Sequence, residues 1–167
     1  LDDVKTLINA GANAIKVEGV TGNEENIKKI VGAGVPVVGH VGLTPQFVNS
    51  FGGFKVQGRN LEQQEFILNE SKSFEELGSF MLVIECVPVD LSKKITSSLK
   101  IPTVGIGAGA GTDGQVLVLH DLLGLTEKKY KFVKKYQNFF SGGVKAISDF
   151  TEEIKDKSFP DEEHTFL

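Results

Sequence analysis

The chain has 167 residues, 40% of them hydrophobic and 24% charged, enough to bury one globular core or a large part of one. Its net charge of −4 argues against broad attraction to nucleic acid or anionic membrane, and no apolar run approaches the ~20 residues of a spanning helix. The lone Cys86 can form no internal disulfide and leaves no cysteine pair for zinc, which favours a reducing, cytoplasmic setting, or a mitochondrial one in a eukaryote.

Leu1 leads directly into a helical pattern with no signal-like segment, so a natural start is expected upstream. Val4, Leu7 and Ile8 fall at helical spacing behind Asp2 or Asp3 as a cap, and Gly11 stops the helix. Residues 14–18 read as a strand. A helix stripe comes next in Ile27, Ile30 and Val31, ended by Gly32 and Gly34, and residues 35–41 form the next strand. Past a loop with Thr44, Pro45, Gly52 and Gly53, residues 60–77 lack breakers and carry Leu61, Leu68, Phe74 and Leu77, as a long helix would. The apolar run at 80–85 suits a parallel strand covered on both faces. Leu91, Ile95 and Leu99 mark another helix, for which Asp90 offers a cap, and 101–106 and 116–119 are the last predicted strands. Phe132, Tyr136, Phe139 and Phe140, continued by Val144, Ile147, Phe150 and Ile154, predict a helical region before a polar tail.

This alternation requires a parallel sheet with helices outside it, which a (β/α)-barrel fragment and an open doubly wound sheet both satisfy. Within residues 14–18 the strand period sends Lys16 and Glu18 to one face and Ile15 and Val17 to the other. In a barrel the charged pair would point inward near the C-terminal mouth, where barrel enzymes keep their active sites; otherwise it is an ordinary ion pair. Glu85 stands at the C-terminal tip of a buried strand, where burial would strengthen it as a base, although a carboxylate there can also cap the next helix. His40 closes a strand too, but a single histidine is often only a hydrogen-bonding group; the same holds for His120 with Asp121, and more so for His164. Gly109, Gly111 and Gly114 spell a GxGxxG after a strand, yet residues 115–119 read as another strand, whereas a dinucleotide site needs a helix to begin there.

Seven blocks in order give the chain a family resemblance: AIKVEG at 14–19, VPVVGHVGLTPQ at 35–46, GGFKVQGR at 52–59, LVIECVP at 82–88, IPTVGIGAG at 101–109, TDGQVLVLHDLLGL at 112–125 and FPDEEHTF at 159–166. Together they resemble the ketopantoate hydroxymethyltransferases. The resemblance implies an α/β fold, a (β/α)8 TIM barrel of the phosphoenolpyruvate/pyruvate superfamily, present as an incomplete barrel over residues 1–157 with a C-terminal tail at 158–167. It also implies Mg²⁺, 5,10-methylenetetrahydrofolate as one-carbon donor, 3-methyl-2-oxobutanoate as substrate, and a large, decamer-like homo-oligomer. By position Glu18 matches a carboxylate near the metal, Lys16 the residue that binds the 2-keto acid, Glu85 the proton acceptor, and His40 lies in a substrate-binding block. The family's other metal-associated carboxylates and a substrate-touching serine belong to earlier strands that this chain lacks. Two other readings are a superfamily lyase using metal-enolate chemistry in reverse, separable by folate dependence, and a truncated assembly module without activity.

Overall fold

In a computed structural model describing residues 1–166, each apolar run that becomes a strand pairs with the next such run along the chain. Strands β1 (Ile15–Glu18), β2 (Val37–Gly42), β3 (Met81–Glu85), β4 (Thr103–Ile106) and β5 (Gly114–Gln115) form one parallel sheet in the order β1-β2-β3-β4-β5. Parallel neighbours cannot be joined by a tight turn, so the first three links return through helices: α2 (Glu24–Gly32), α3 (Leu61–Glu76) and α4 (Val89–Ser98). Right-handed crossovers that always add a strand on the same side leave their helices on the same face. The core shows this directly: Ile27, Ile30, Ile67, Phe74, Leu91 and Ile95 from the helices pack with Val37, Val41, Leu82 and Ile84 from alternate strand positions.

Phe74 is wholly buried over Gly39, where an added Cβ would lie 2.5 Å from the ring. The glycine makes room for the largest buried side chain. Strand alternation then sends Lys16, Glu18, His40, Val83 and Glu85 to the face away from these helices. Consecutive parallel strands with helices on one face suit a barrel wall, and the strand-order reversal that forms the nucleotide crevice of a doubly wound sheet is absent among the described residues.

Several boundaries differ from the sequence expectation. Helix α1 (Asp2–Asn9) contains both Asp2 and Asp3 in its first turn, and its N-cap is Leu1. Asp90 likewise sits inside the first turn of α4, whose N-cap position is Pro88, so none of the three aspartates serves as the expected cap. The strand expected at 116–119 is two residues long and ends at Gln115; Val116 still donates to the Gly105 carbonyl, but β4 stops at Ile106 and Gly107 turns away with φ +63°. Without a partner ladder the apolar residues beyond Val116 do not extend the strand.

The chain divides into two compact units, Leu1–Val116 and the residues from Leu117 on. In the second, α5 (Leu119–Leu122) precedes an irregular stretch and α6 (Phe139–Asp156). The helix expected from Phe132 therefore begins later: the amides of Tyr136, Phe139 and Phe140 donate to Leu122, Leu123 and Gly124, and the Asn138 side chain caps α6 by accepting from Ser141. A backbone already bonded to another segment cannot close helical turns. The polar tail holds a 3₁₀ turn, Glu162–His164; residue 167 lies outside the described residues.

Candidate active site

Glu18, Gly42, Glu85 and Ile106 are the last residues of β1 to β4, so the sheet brings four carboxyl ends to one rim. Strand register pairs Glu18 with His40 and Gly42 with Glu85. In-register residues of parallel strands share a face, and this places Lys16, Glu18, His40 and Glu85 in one cluster.

The distances are short. Lys16 Nζ lies 3.7 Å from Glu18 Oε1 and 3.4 Å from His40 Nδ1. His40 Nδ1 is 3.5 Å from Glu18 Oε1, and Nε2 is 3.1 Å from Glu85 Oε2. Despite that separation Nε2 makes no hydrogen bond. Exposure separates the four into two pairs: the side chains of Glu18 and His40 are 6% and 1% exposed, whereas Glu85 is 18% and Lys16 50% exposed. A ligand on this face can reach the lysine and Glu85, while Glu18 and His40 support them from beneath.

The backbone around Glu85 is fixed on both sides. Its carbonyl accepts from Leu43 N at 2.8 Å, the adjoining Cys86 N donates to Ile106 O at 2.8 Å, and Cys86 O accepts from Gln57 N at 2.9 Å. Cys86 adopts φ +48°, a region disfavoured for side-chain-bearing residues, so the chain turns sharply just after the carboxylate. Burial, and then the neighbouring Glu85 charge, push the Cys86 thiol up to about 11, which keeps it a neutral packing group rather than a nucleophile near neutral pH.

Three contributors escaped the sequence reading. Gln46 N donates to Glu18 Oε2 at 2.9 Å from a 3₁₀ turn, Pro45–Phe47; the one legible signal was Pro45 at its first position. Glu70 Oε1 accepts from Val20 N, Thr21 N and Thr21 Oγ1, tying the loop after β1 to α3. Asp113 Oδ2 accepts from Thr103 N and Oγ1 at 2.8 and 3.0 Å; those bonds hold its carboxyl below the ordinary range and clamp the loop beside β4. That glycine loop begins no helix. Ser92 Oγ donates to Ala108 O at 2.6 Å, and a Cβ on Gly109 would fall 2.7 Å from Val89, so its glycines serve close packing on α4.

His120 and Asp121 lie on α5 in the second unit, and His164 Nδ1 contacts Asp161 Oδ1 at 2.6 Å in the tail. Among the described residues no three His, Cys, Asp or Glu side chains are arranged to hold a metal ion. Both Glu18 oxygens already face protein groups, Gln46 N on one side and Lys16 with His40 on the other. Glu18 by itself offers too few donors for the expected magnesium, so this span alone does not complete such a site.

Fold and cluster together describe an α/β protein with a group of ionisable side chains at the carboxyl ends of its parallel strands, among them a half-exposed lysine and an accessible carboxylate. The chain belongs to the ketopantoate hydroxymethyltransferase family, whose model matches residues 1–162. It is 53% identical over 164 residues to the 3-methyl-2-oxobutanoate hydroxymethyltransferase of Francisella tularensis subsp. novicida strain U112, covering 98% of this chain and 62% of that protein. The like-named protein of Legionella pneumophila strain Paris is 50% identical over 168 residues, covering 99% and 64% respectively. The chain thus spans less than two thirds of the length of these curated relatives.

Proposed function

We propose that the protein containing this span transfers a one-carbon unit from 5,10-methylenetetrahydrofolate to 3-methyl-2-oxobutanoate as a hydroxymethyl group, with water supplying the hydroxyl and tetrahydrofolate released, giving 2-dehydropantoate at the start of pantothenate synthesis, in a (β/α)8 barrel of which the five-stranded sheet is a wall. Supporting it are the family membership, the relatives' names, and one observation above the rest: Lys16 and Glu85 are the two solvent-reachable members of a cluster whose other members are buried.

The chemistry needs a carbon nucleophile at C3 of the keto acid. Glu85 is the base that removes the C3 proton, since it carries an accessible carboxylate whose backbone is fixed by the bonds flanking it. Lys16 holds the substrate carboxylate. An ammonium has three donors, so it can keep its contacts to Glu18 and His40 and still bind an anion. With the carboxylate held, C3 is presented to Glu85 on one side and to the one-carbon donor on the other. Magnesium would meet only Glu18 on this span and would take its other ligands from the part of such proteins outside it; assembly into a large homo-oligomer belongs to the same proposal.

Glu85→Gln in a full-length protein carrying this span should abolish exchange of the C3 proton for solvent deuterium, by about 10²–10⁴-fold, with substrate binding retained. Exchange at the wild-type rate would remove Glu85 from the role, and product formation without folate would favour the lyase reading.

A further inference from the structure

His40 is the most deeply buried member of the cluster, 1% exposed, and a ring so enclosed is poorly placed to bind substrate. Its two nitrogens face different neighbours, and this decides where its proton resides. Lys16 is a donor with no acceptor, so its 3.4 Å hydrogen bond to Nδ1 requires a lone pair there. Glu18 Oε1, at 3.5 Å from the same nitrogen, makes no well-aligned bond with it and is itself approached by Lys16. A neutral ring accepting at Nδ1 carries its proton on Nε2.

That buried N–H then has no hydrogen-bond partner, although Glu85 Oε2 is only 3.1 Å away. A buried donor left unmade is costly, and Glu85 Oε2 is the acceptor within reach to satisfy it. We propose that His40 is a positioning residue: its ring, set in the Nε2–H tautomer by Lys16, holds Oε2 of Glu85 and leaves the second carboxylate oxygen as the lone pair that meets the substrate. The inference rests on Glu85 being the base. It deepens that reading by linking the two exposed groups: the lysine that clamps the substrate also fixes, through the ring, the orientation of the base. No proton passes through His40 in this arrangement, and the ring proton stays on Nε2.

The ring proton can be observed without any reaction. Long-range ¹H–¹⁵N correlation spectra of the histidine rings in the full-length protein distinguish the tautomers, with the His40 signal assigned by its loss in His40→Gln. The expected pattern is a protonated Nε2 and a bare Nδ1, changed in Lys16→Met and kept in Glu85→Gln. Kinetics gives an independent arm. Glutamine can place an amide N–H where Nε2 stood and asparagine can do so only near Nδ1, so His40→Asn should lower kcat and C3 exchange about 10–100-fold at nearly constant KM, while His40→Gln recovers most of the loss. A proton on Nδ1, or equal losses in the two variants, would overturn the proposal. Absence of C3 exchange in the wild type would instead overturn the role of Glu85, and the ring spectra would still decide the tautomer.

Discussion

Gly42 faces Glu85 across the β2–β3 ladder, and replacing it by alanine tests whether close backbone approach holds the candidate base in place. Gly42 has φ +91°, where a Cβ is disfavoured by roughly 1–2 kcal/mol. A Cβ there would also lie 2.2 Å from the Glu85 carbonyl oxygen and 2.8 Å from Val87 Cγ1. Neither backbone can yield without separating the strand ends, which endangers the 2.8 Å bond from Leu43 N to Glu85 O, itself about 0.5–1.5 kcal/mol. Together these give a destabilisation of about 1.5–3.5 kcal/mol. Gly34 is the control, with φ +80° but nothing within 4 Å of an added Cβ. Gly34→Ala meets only the conformational cost, offset in part by a less flexible unfolded chain, for a net of about 1 kcal/mol. Urea unfolding of both variants in the full-length protein measures the difference, and C3 deuterium exchange reports whether Glu85 has moved. Gly42→Ala should be the less stable by about 0.5–2.5 kcal/mol and also slow in exchange. Equal destabilisation, or unaltered exchange in Gly42→Ala, would refute the view that this contact positions the base.

The same cluster yields two further expected outcomes. Lys16→Met should chiefly raise KM for the keto acid, because a clamp on the substrate carboxylate acts in ground and transition states alike, whereas Glu18→Gln should shift a magnesium titration of activity; identical titrations would detach Glu18 from the ion. Cys86 gives a stability signature: the unfolded thiol ionises near 9.0 and the folded one near 11, so above pH 9 the unfolded chain binds fewer protons and stability falls as pH rises to about 11. Cys86→Ala should flatten that part of the stability-pH curve, and an unchanged slope would count against the raised thiol.

The face bearing Lys16 and Glu18 was legible because a strand repeats every two residues, and Glu85 because a carboxylate at the end of an apolar run breaks the pattern. Residues 116–119 and 132–138 misled for one shared reason: periodicity records which side chains seek burial, not whether a partner awaits. Gly107 removes the ladder from the first, and Leu122, Leu123 and Gly124 occupy the backbone of the second. Glu70 reaches Val20 and Thr21 from about fifty positions away along the chain, a contact no local pattern announces. The cluster itself lies between these cases, since each member was visible singly but their contact depends on register. Glu18 meets His40, and His40 meets Glu85, only because Glu18 pairs with His40 and Gly42 with Glu85. A slip of one residue in β2 would turn His40 toward the helices and put Gly39 or Val41 beside Glu18 in its place. What secures that register is on the opposite face, where Phe74 fits over Gly39 and would clash with any side chain slipped into its place. A helix-side packing contact therefore fixes the geometry of the acid-base cluster on the other side of the sheet, and the site depends on Gly39 as much as on the residues that carry its charge.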